Sequence, residues 1–314
     1  MASDCTDRSP RFGPSPGMSP GAGEQETPAA YPYRKIGWRQ AGVRLKPAES
    51  RAQAVLGLRR YGRSLTAHLD ALGLLGPHVS AAHAIWLDDT DRQRFADNGA
   101  SVIHAPTSNM RFGSGLARIR PMLEAGVNVG IATDAANSSD SLNMFEATRL
   151  ACYLSRAQTP DYRRWLGADE VLRMATEGSA RAMGFDGKLG RVAPGYEADL
   201  VFLDLGHINY VPLHDPVTQI VFTKNGAAVD SVMIGGRLVL DRGRLTTVDE
   251  AKLRTQAAER LAEANADMRA FSRELQPFVG AFFRALTCEP FHLDRQAWAE
   301  DRSIPEAGSE QTRR

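Results

Sequence analysis

Residues 126–157 read GVNVGIATDAANSSDSLNMFEATRLACYLSRA. A short apolar run ends on Asp134, passes through small polar residues, and gives way to an apolar pattern at helical spacing. Leu142, Phe145, Leu150 and Leu154 roughly follow one face of that helix. The stretch therefore reads as strand, loop and helix in succession, with an acidic residue where the strand gives out.

The same unit recurs upstream. GVRLKPAES is a weak strand followed by a helix-compatible stretch from Arg51 to Leu74. HVSAAHAI is a strand, and DDTDRQRFADNG is a short helix closed by Gly99. ASVIHAP is a third strand, and GLARIRPMLEAG is a helix closed by Gly126. Strands alternating with helices at this spacing predict successive βαβ units and a parallel sheet, as in half of a (β/α)8 barrel or in a doubly wound sheet.

Downstream the pattern changes. EVLRMATEGSARAMGF predicts one more helix, ended by Gly184. GRVAPGYEADLVFLDL, QIVFTKN and VDSVMIGGRLVLDRGRL are β-branched runs between Gly and Asp turns, which predicts a small antiparallel β unit. Thr247 to Glu250 has the form of a capping box. The helix it opens carries an apolar seam of Leu253, Ala257, Leu261, Ala264, Met268, Phe271 and Leu275, and Pro277 is expected to end it. That seam suits packing on the protein's own body or on a partner subunit.

Composition narrows the function classes. Lys and Arg total 38 against 37 Asp and Glu, a formal charge of +1, and no basic stripe with interleaved aromatics occurs, so a nucleic-acid partner is not expected. Cys5, Cys152 and Cys288 are far apart and lack CxxC spacing, which argues against a disulfide framework and suits a reducing, cytoplasmic setting. No run of 18 apolar residues suggests a membrane span. Residues 1–43 are rich in Pro, Gly, Ser and Arg without periodicity and are expected to be disordered, as is the polar tail 300–314.

In parallel α/β proteins reactive groups sit just past the C-terminal ends of strands. That rule selects His83, His104 and Asp134, with Glu49 after the weaker first strand. Such a set suits metal-assisted hydrolysis on zinc or iron: a carboxylate binds the ion and takes a proton from its water, a second carboxylate shuttles that proton, and an imidazole orients the water. Spacing alone leaves plainer roles open. Asp134 also suits a turn cap, His83 a buried histidine bonded to a backbone carbonyl, His104 a loop-fixing residue, and Glu49 a helix N-terminal acid.

Four segments, GPHVSAAHAIWLDD, HAPTSNMRFGSGLA, GIATDAANSSDSLNMFEATRLA and GRVAPGYEADLVFLDL, resemble the C-terminal half of amidohydrolase-superfamily enzymes. The nearest branch is that of the chlorohydrolases and aminohydrolases: triazine hydrolases, guanine deaminase-like enzymes and methylthioadenosine/S-adenosylhomocysteine deaminases. The resemblance runs from about residue 44 to about 295. It implies strands 5–8 of a (β/α)8 barrel over 44–185, part of a flanking β-sandwich over 186–248 and a helical region over 249–299. It also implies that Asp134 binds the metal and takes the proton, that His83 bonds the hydrolytic water, and that Glu49 is the shuttle. His104, Ser108 and Asn109 fall in the H-x-P-x-S-N segment that shapes the substrate pocket. The implied reaction is deamination of a nitrogen heterocycle.

The departures from the family are equally specific. No H-x-H motif occurs in the chain, and the H-x-x-E tetrad reads Lys46-Pro47-Ala48-Glu49. A protonated lysine is no metal ligand, so three of the four ligands are missing. The expectation is a chain truncated relative to the family and inactive alone, or one completed by a second chain or a further copy. The alternative is a catalytically inactive remnant or binding protein that keeps the C-terminal half of the family's fold.

Overall fold

The computed structural model describes residues 42–223 and 226–287. The segments expected to be disordered, 1–43 and 300–314, lie outside them apart from Gly42 and Val43. Four parallel strands form the first sheet in sequence order: β1 (Val43–Leu45), β2 (Val79–Ala82), β3 (Ser101–His104) and β4 (Asn128–Ile131). The register pairs Val43 with Val79, Ala81 with Val102, and His104 with Ile131. Strand ends therefore line up at one edge of the sheet, and whatever follows Leu45, Ala82, His104 and Ile131 emerges side by side.

Helices connect and cover these strands. The stretch 51–74 is not one helix but two, α1 (Arg51–Tyr61) and α2 (Leu65–Ala71). Gly62 takes a left-handed conformation that stops the first, and the Ser64 hydroxyl restarts the chain by accepting the Ala67 N–H. Next comes α3 (Asp89–Asp97), capped by Asp88 and closed at Gly99 with φ +65° as the sequence predicts. Two short helices, α4 (Pro106–Arg111) and α6 (Ala136–Ser139), precede the predicted α5 (Ile119–Glu124) and α7 (Met144–Gln158) respectively. The buried stripe of α7 is Ala147, Thr148, Ala151, Cys152 and Ser155, while Leu142 is exposed. Small residues let the helix approach closely, and the half-buried Phe145, Leu150 and Leu154 of the predicted face flank that stripe.

Residues 168–182 form one continuous helical segment: α8 (Ala168–Arg173), a π turn over Met174–Gly178, and α9 (Ser179–Ala182). The π turn lies against the outer edge of β4. Ile131 N–H donates to the Ser179 hydroxyl, which in turn bonds the Ile131 carbonyl, and a Cβ on Gly178 would drive into the Val129 carbonyl. Backbone groups that a further strand would need at Val129 and Ile131 are thereby covered.

The core runs through Val79, Ala81, Val102, Val129 and Ile131 of the sheet to Phe95, Met122 and Val171 of the surrounding helices and Leu166 of the loop before α8. Burying a side chain such as Phe95 contributes roughly 1.5–3 kcal/mol. Beyond it, β5 (Leu200–Leu203), β6 (Val229–Ile234), β7 (Arg237–Asp241) and β8 (Arg244–Leu245) make a four-stranded antiparallel sheet. The fold is thus mixed α/β, with one parallel and one antiparallel sheet.

Three expectations fail in this half. Gln219 to Phe222 of the β-like run QIVFTKN are helical, within α10 (Pro216–Phe222). The Asp215 carboxylate accepts the Val217 and Thr218 N–H groups, and Pro216 presets the first turn, so a start signal overrides the β-branched composition. The last helix, α11 (Glu250–Thr287), begins from Asp249, whose carboxylate accepts the Lys252 N–H, rather than from a box closed by Thr247. It also runs through Pro277, which removes one ladder bond without ending a helix already formed on both sides. α11 touches α1, while Leu253, Leu261, Met268, Phe271 and Leu275 of its seam stay exposed. Among the described residues no helix is long and apolar enough to cross a membrane.

Candidate active site

Glu49, His83 and Asp134 emerge from three different strand ends and meet. Beyond β1, Lys46 and Pro47 lead into a tight turn in which Ala48 has φ +55° and its carbonyl accepts two N–H groups, from Ile85 and Trp86. That double bond ties the turn carrying Glu49 to the chain that follows β2. Glu49 itself stands one residue before the α1 N-cap Ser50, and its N–H donates to Gln53 Oε1 at 2.8 Å.

His83 follows β2 directly and has φ +67°, with Ala84 at φ +48°. Left-handed backbone at two consecutive non-glycine residues is costly, on the order of 1–3 kcal/mol each, and persists where the surroundings fix it. His83 N–H is held by the Ile103 carbonyl, and its ring is 1 % exposed. The ring bonds a side chain rather than a backbone carbonyl: Nδ1 lies 2.8 Å from Asn109 Oδ1, and Asn109 sits buried on α4. The other nitrogen, Nε2, is 3.5 Å from Glu49 Oε1 and 3.8 Å from Asp134 Oδ2.

Asp134, three residues past β4, has φ +64°. It does not cap α6, whose N-cap is Ala135 without a side-chain bond. Its Oδ2 accepts the Ser108 hydroxyl at 2.7 Å, and Lys46 Nζ stands 3.9 Å from Oδ1. Partial burial works to raise its pKa, but the Ser108 and Ala135 bonds, with the charges of Lys46 and His83, hold it below the usual carboxylate range.

His104 ends β3 and is buried, with Nδ1 unpartnered. Burial, helped by the neighbouring His83, lowers its pKa to about 3, so the ring is neutral. It lines a small internal cavity with Ala117, Ile119, Ala151 and Leu166. The His104 ring thus faces the base of α7, whereas Ser108 and Asn109 serve as the props of Asp134 and His83.

Lys46 is the residue whose part in the site the sequence did not suggest. The signal was its place in the altered tetrad, directly after β1 and three residues before Glu49.

Residues 52–239 match the model of the Amidohydrolase family. The chain is 39% identical over 211 residues to a 5-methylthioadenosine/S-adenosylhomocysteine deaminase of Syntrophobacter fumaroxidans, covering 67% of this chain and 48% of that protein. Among solved structures it is similar to an adenosine deaminase from Xanthomonas campestris with bound zinc, at a TM-score of 0.69 and 32% identity, covering 71% of this chain and 51% of that one. An atrazine chlorohydrolase from Arthrobacter aurescens complexed with zinc gives a TM-score of 0.62 and 30% identity over 66% of this chain and 46% of that one. The chain thus spans about half the length of these relatives.

A zinc ion does not fit the donors at hand. Among the described residues no three His, Cys, Asp or Glu side chains are placed to hold a metal ion, and the cation beside Asp134 is an ammonium.

Proposed function

We propose, from the premise that this chain belongs to the amidohydrolase family, that it carries the proton-handling side of an aminohydrolase centre for a nitrogen heterocycle. The observation that supports this reading is His83 Nε2 facing both the Glu49 and the Asp134 carboxylates at the end of a parallel sheet. The ring's C–NH2 group and water would become a C=O group and ammonia. Glu49, a quarter exposed at the mouth, takes a proton from the attacking water and delivers it to the departing nitrogen. Asp134, held as a carboxylate, accepts hydrogen bonds from the amino group or the water, and His83, fixed by Asn109, orients them. The parallel sheet takes the place of half of a (β/α)8 barrel, and the antiparallel sheet that of part of the flanking sandwich. Histidine ligands for a zinc or iron centre would have to come from a complementing chain, because the described donors do not supply them.

A second reading, a ring-binding protein without hydrolysis, is favoured by one observation: Lys46 stands beside Asp134 where an added cation would be expected. Ammonia release from adenosine, 5-methylthioadenosine and guanine, with calorimetric titration of the same compounds into the full chain, separates the two. Ammonia release lost in Glu49→Gln and Asp134→Asn supports the first reading. Ring binding without ammonia supports the second, and neither binding nor release overturns both for the chain on its own.

A further inference from the structure

α11 starts at Glu250 and runs for 38 residues, with its main contact to the rest of the chain at α1. A helix in water draws most of its stability from an apolar face packed on something else. Here that face is bare: Leu261, Met268, Phe271, Leu275 and Phe278 are between 43 % and 71 % exposed.

Their spacing is that of a helix pair. From Ala257 the seam runs at alternating intervals of four and three residues, through Leu261, Ala264, Met268, Phe271 and Leu275 to Phe278. That is a repeat of about 3.5 residues, the narrow seam of a left-handed two-stranded coil rather than the wider stripe of a helix lying on a globular body. In the same register Arg254 precedes Ala257, and Pro277 falls outside the seam. Five basic and five acidic residues lie between Glu250 and Leu275, without the excess of Lys and Arg that suits an anionic membrane surface.

Side-chain size sets the direction of the pair. One set of seam positions holds Arg254, Leu261, Met268 and Leu275, and the other holds Ala257, Ala264, Phe271 and Phe278. Parallel copies would stack Ala on Ala at one end, Phe on Phe at the other and Arg254 on Arg254. Antiparallel copies cross the two sets. In the one register that uses all eight positions, Leu275 meets Ala257, Met268 meets Ala264 and Leu261 meets Phe271 of the second copy. Arg254, paired with Glu250 on its own helix, meets the Phe278 ring. Each small residue then faces a large one. We propose that α11 is a self-association helix, pairing antiparallel with α11 of a second copy of this chain from Arg254 to Phe278. The twofold axis passes midway between Ala264 and Met268, and the two bodies sit at opposite ends of the pair. The pairing is independent of the aminohydrolase reading.

Sedimentation equilibrium of the full chain at micromolar concentration tests the pairing. A mass of two chains is expected, falling to one chain in the double variant Leu261→Glu, Met268→Glu with a loss of far-ultraviolet helix signal. A monomeric full chain, or a dimer that the double variant leaves intact, overturns the proposal. Cross-linking reads the direction without a charge in the seam. Cys5 and Cys288 are first replaced by Ser, while Cys152 is buried. Mild oxidation should then link Leu261→Cys chains to Phe271→Cys chains when the two are mixed, and neither variant to itself. Self-linked Leu261→Cys chains mean a parallel pair and overturn the proposal, as does a mixture that does not link. A monomer that floats with vesicles of anionic lipid gives the seam to a membrane surface and overturns it too.

Discussion

The Ser179 hydroxyl sits between both backbone groups of Ile131, accepting its N–H at 3.0 Å, with its one proton shared between the Ile131 carbonyl at 3.1 Å and the Met174 carbonyl at 3.0 Å. A helical segment thereby seals the outer edge of β4, and the π turn brings Gly178 against Val129 so closely that no side chain fits.

Gly178→Ala is therefore expected to destabilise the chain by about 3 kcal/mol, since backbone rather than a flexible side chain must move. Gly187→Ala, at φ +71° with open space around it, should cost only about 1 kcal/mol. Urea midpoints of the two variants check the ordering, and equal losses would show that the seal is loose.

Removing the amide that fixes His83 should cost more than its size suggests. Asn109→Ala takes the acceptor from a buried Nδ1–H, a loss of about 1–3 kcal/mol. The His83 ring should also lose its single orientation, visible as averaged ring signals in NMR spectra. A sharp, unshifted His83 signal in the variant would mean that another group orients the ring.

Asp91 makes stability pH-dependent. Burial against α2 raises its pKa to about 6 from 3.8, against the opposing bond from the Ser64 hydroxyl at 2.5 Å. Because the folded-state pKa is the higher one, its contribution is complete below about pH 4 and is lost as pH rises through about 6. Asp91→Asn, which keeps the Ser64 bond, should gain ~2–3 kcal/mol on the unsubstituted chain between pH 4 and pH 7. Denaturant titrations at four pH values give the difference curve, and a flat one would refute the assignment.

Ser108→Ala should release Asp134. Its carboxylate loses a 2.7 Å bond, and its depressed pKa moves back toward the ordinary range. Since a depressed carboxylate pKa stabilises the fold above the unfolded value and is lost as pH falls through the folded one, the variant should be less sensitive to acid at this site. A carbon-detected NMR titration of Asp134 reads the shift directly.

Much of this was legible along the chain. The apolar runs around Val79, Val102 and Val129 marked the parallel strands, and Gly99 and Gly126 marked helix ends, because these signals depend on neighbours within a few residues. The run QIVFTKN differs for a related reason: its β-branched composition suggests a strand, but Asp215-Pro216 just before it is a helix start signal that acts on the first turn alone. Pro277 has the form of a stop, but a long helix bonded on both sides tolerates one missing donor.

The sequence by itself determined the alternation of strands and helices, the residues at the strand ends and the tetrad Lys46-Pro47-Ala48-Glu49, all local facts. Only the tertiary structure decided that Glu49, His83 and Asp134 share one site, that Ser108 and Asn109 are their props, and that Lys46 stands beside Asp134. Those relations follow from the parallel register of β1 to β4 and from left-handed turns at Ala48, His83 and Asp134. Periodicity shows which way a side chain alternates along its own strand, but pairing between distant strands sets which side chains meet.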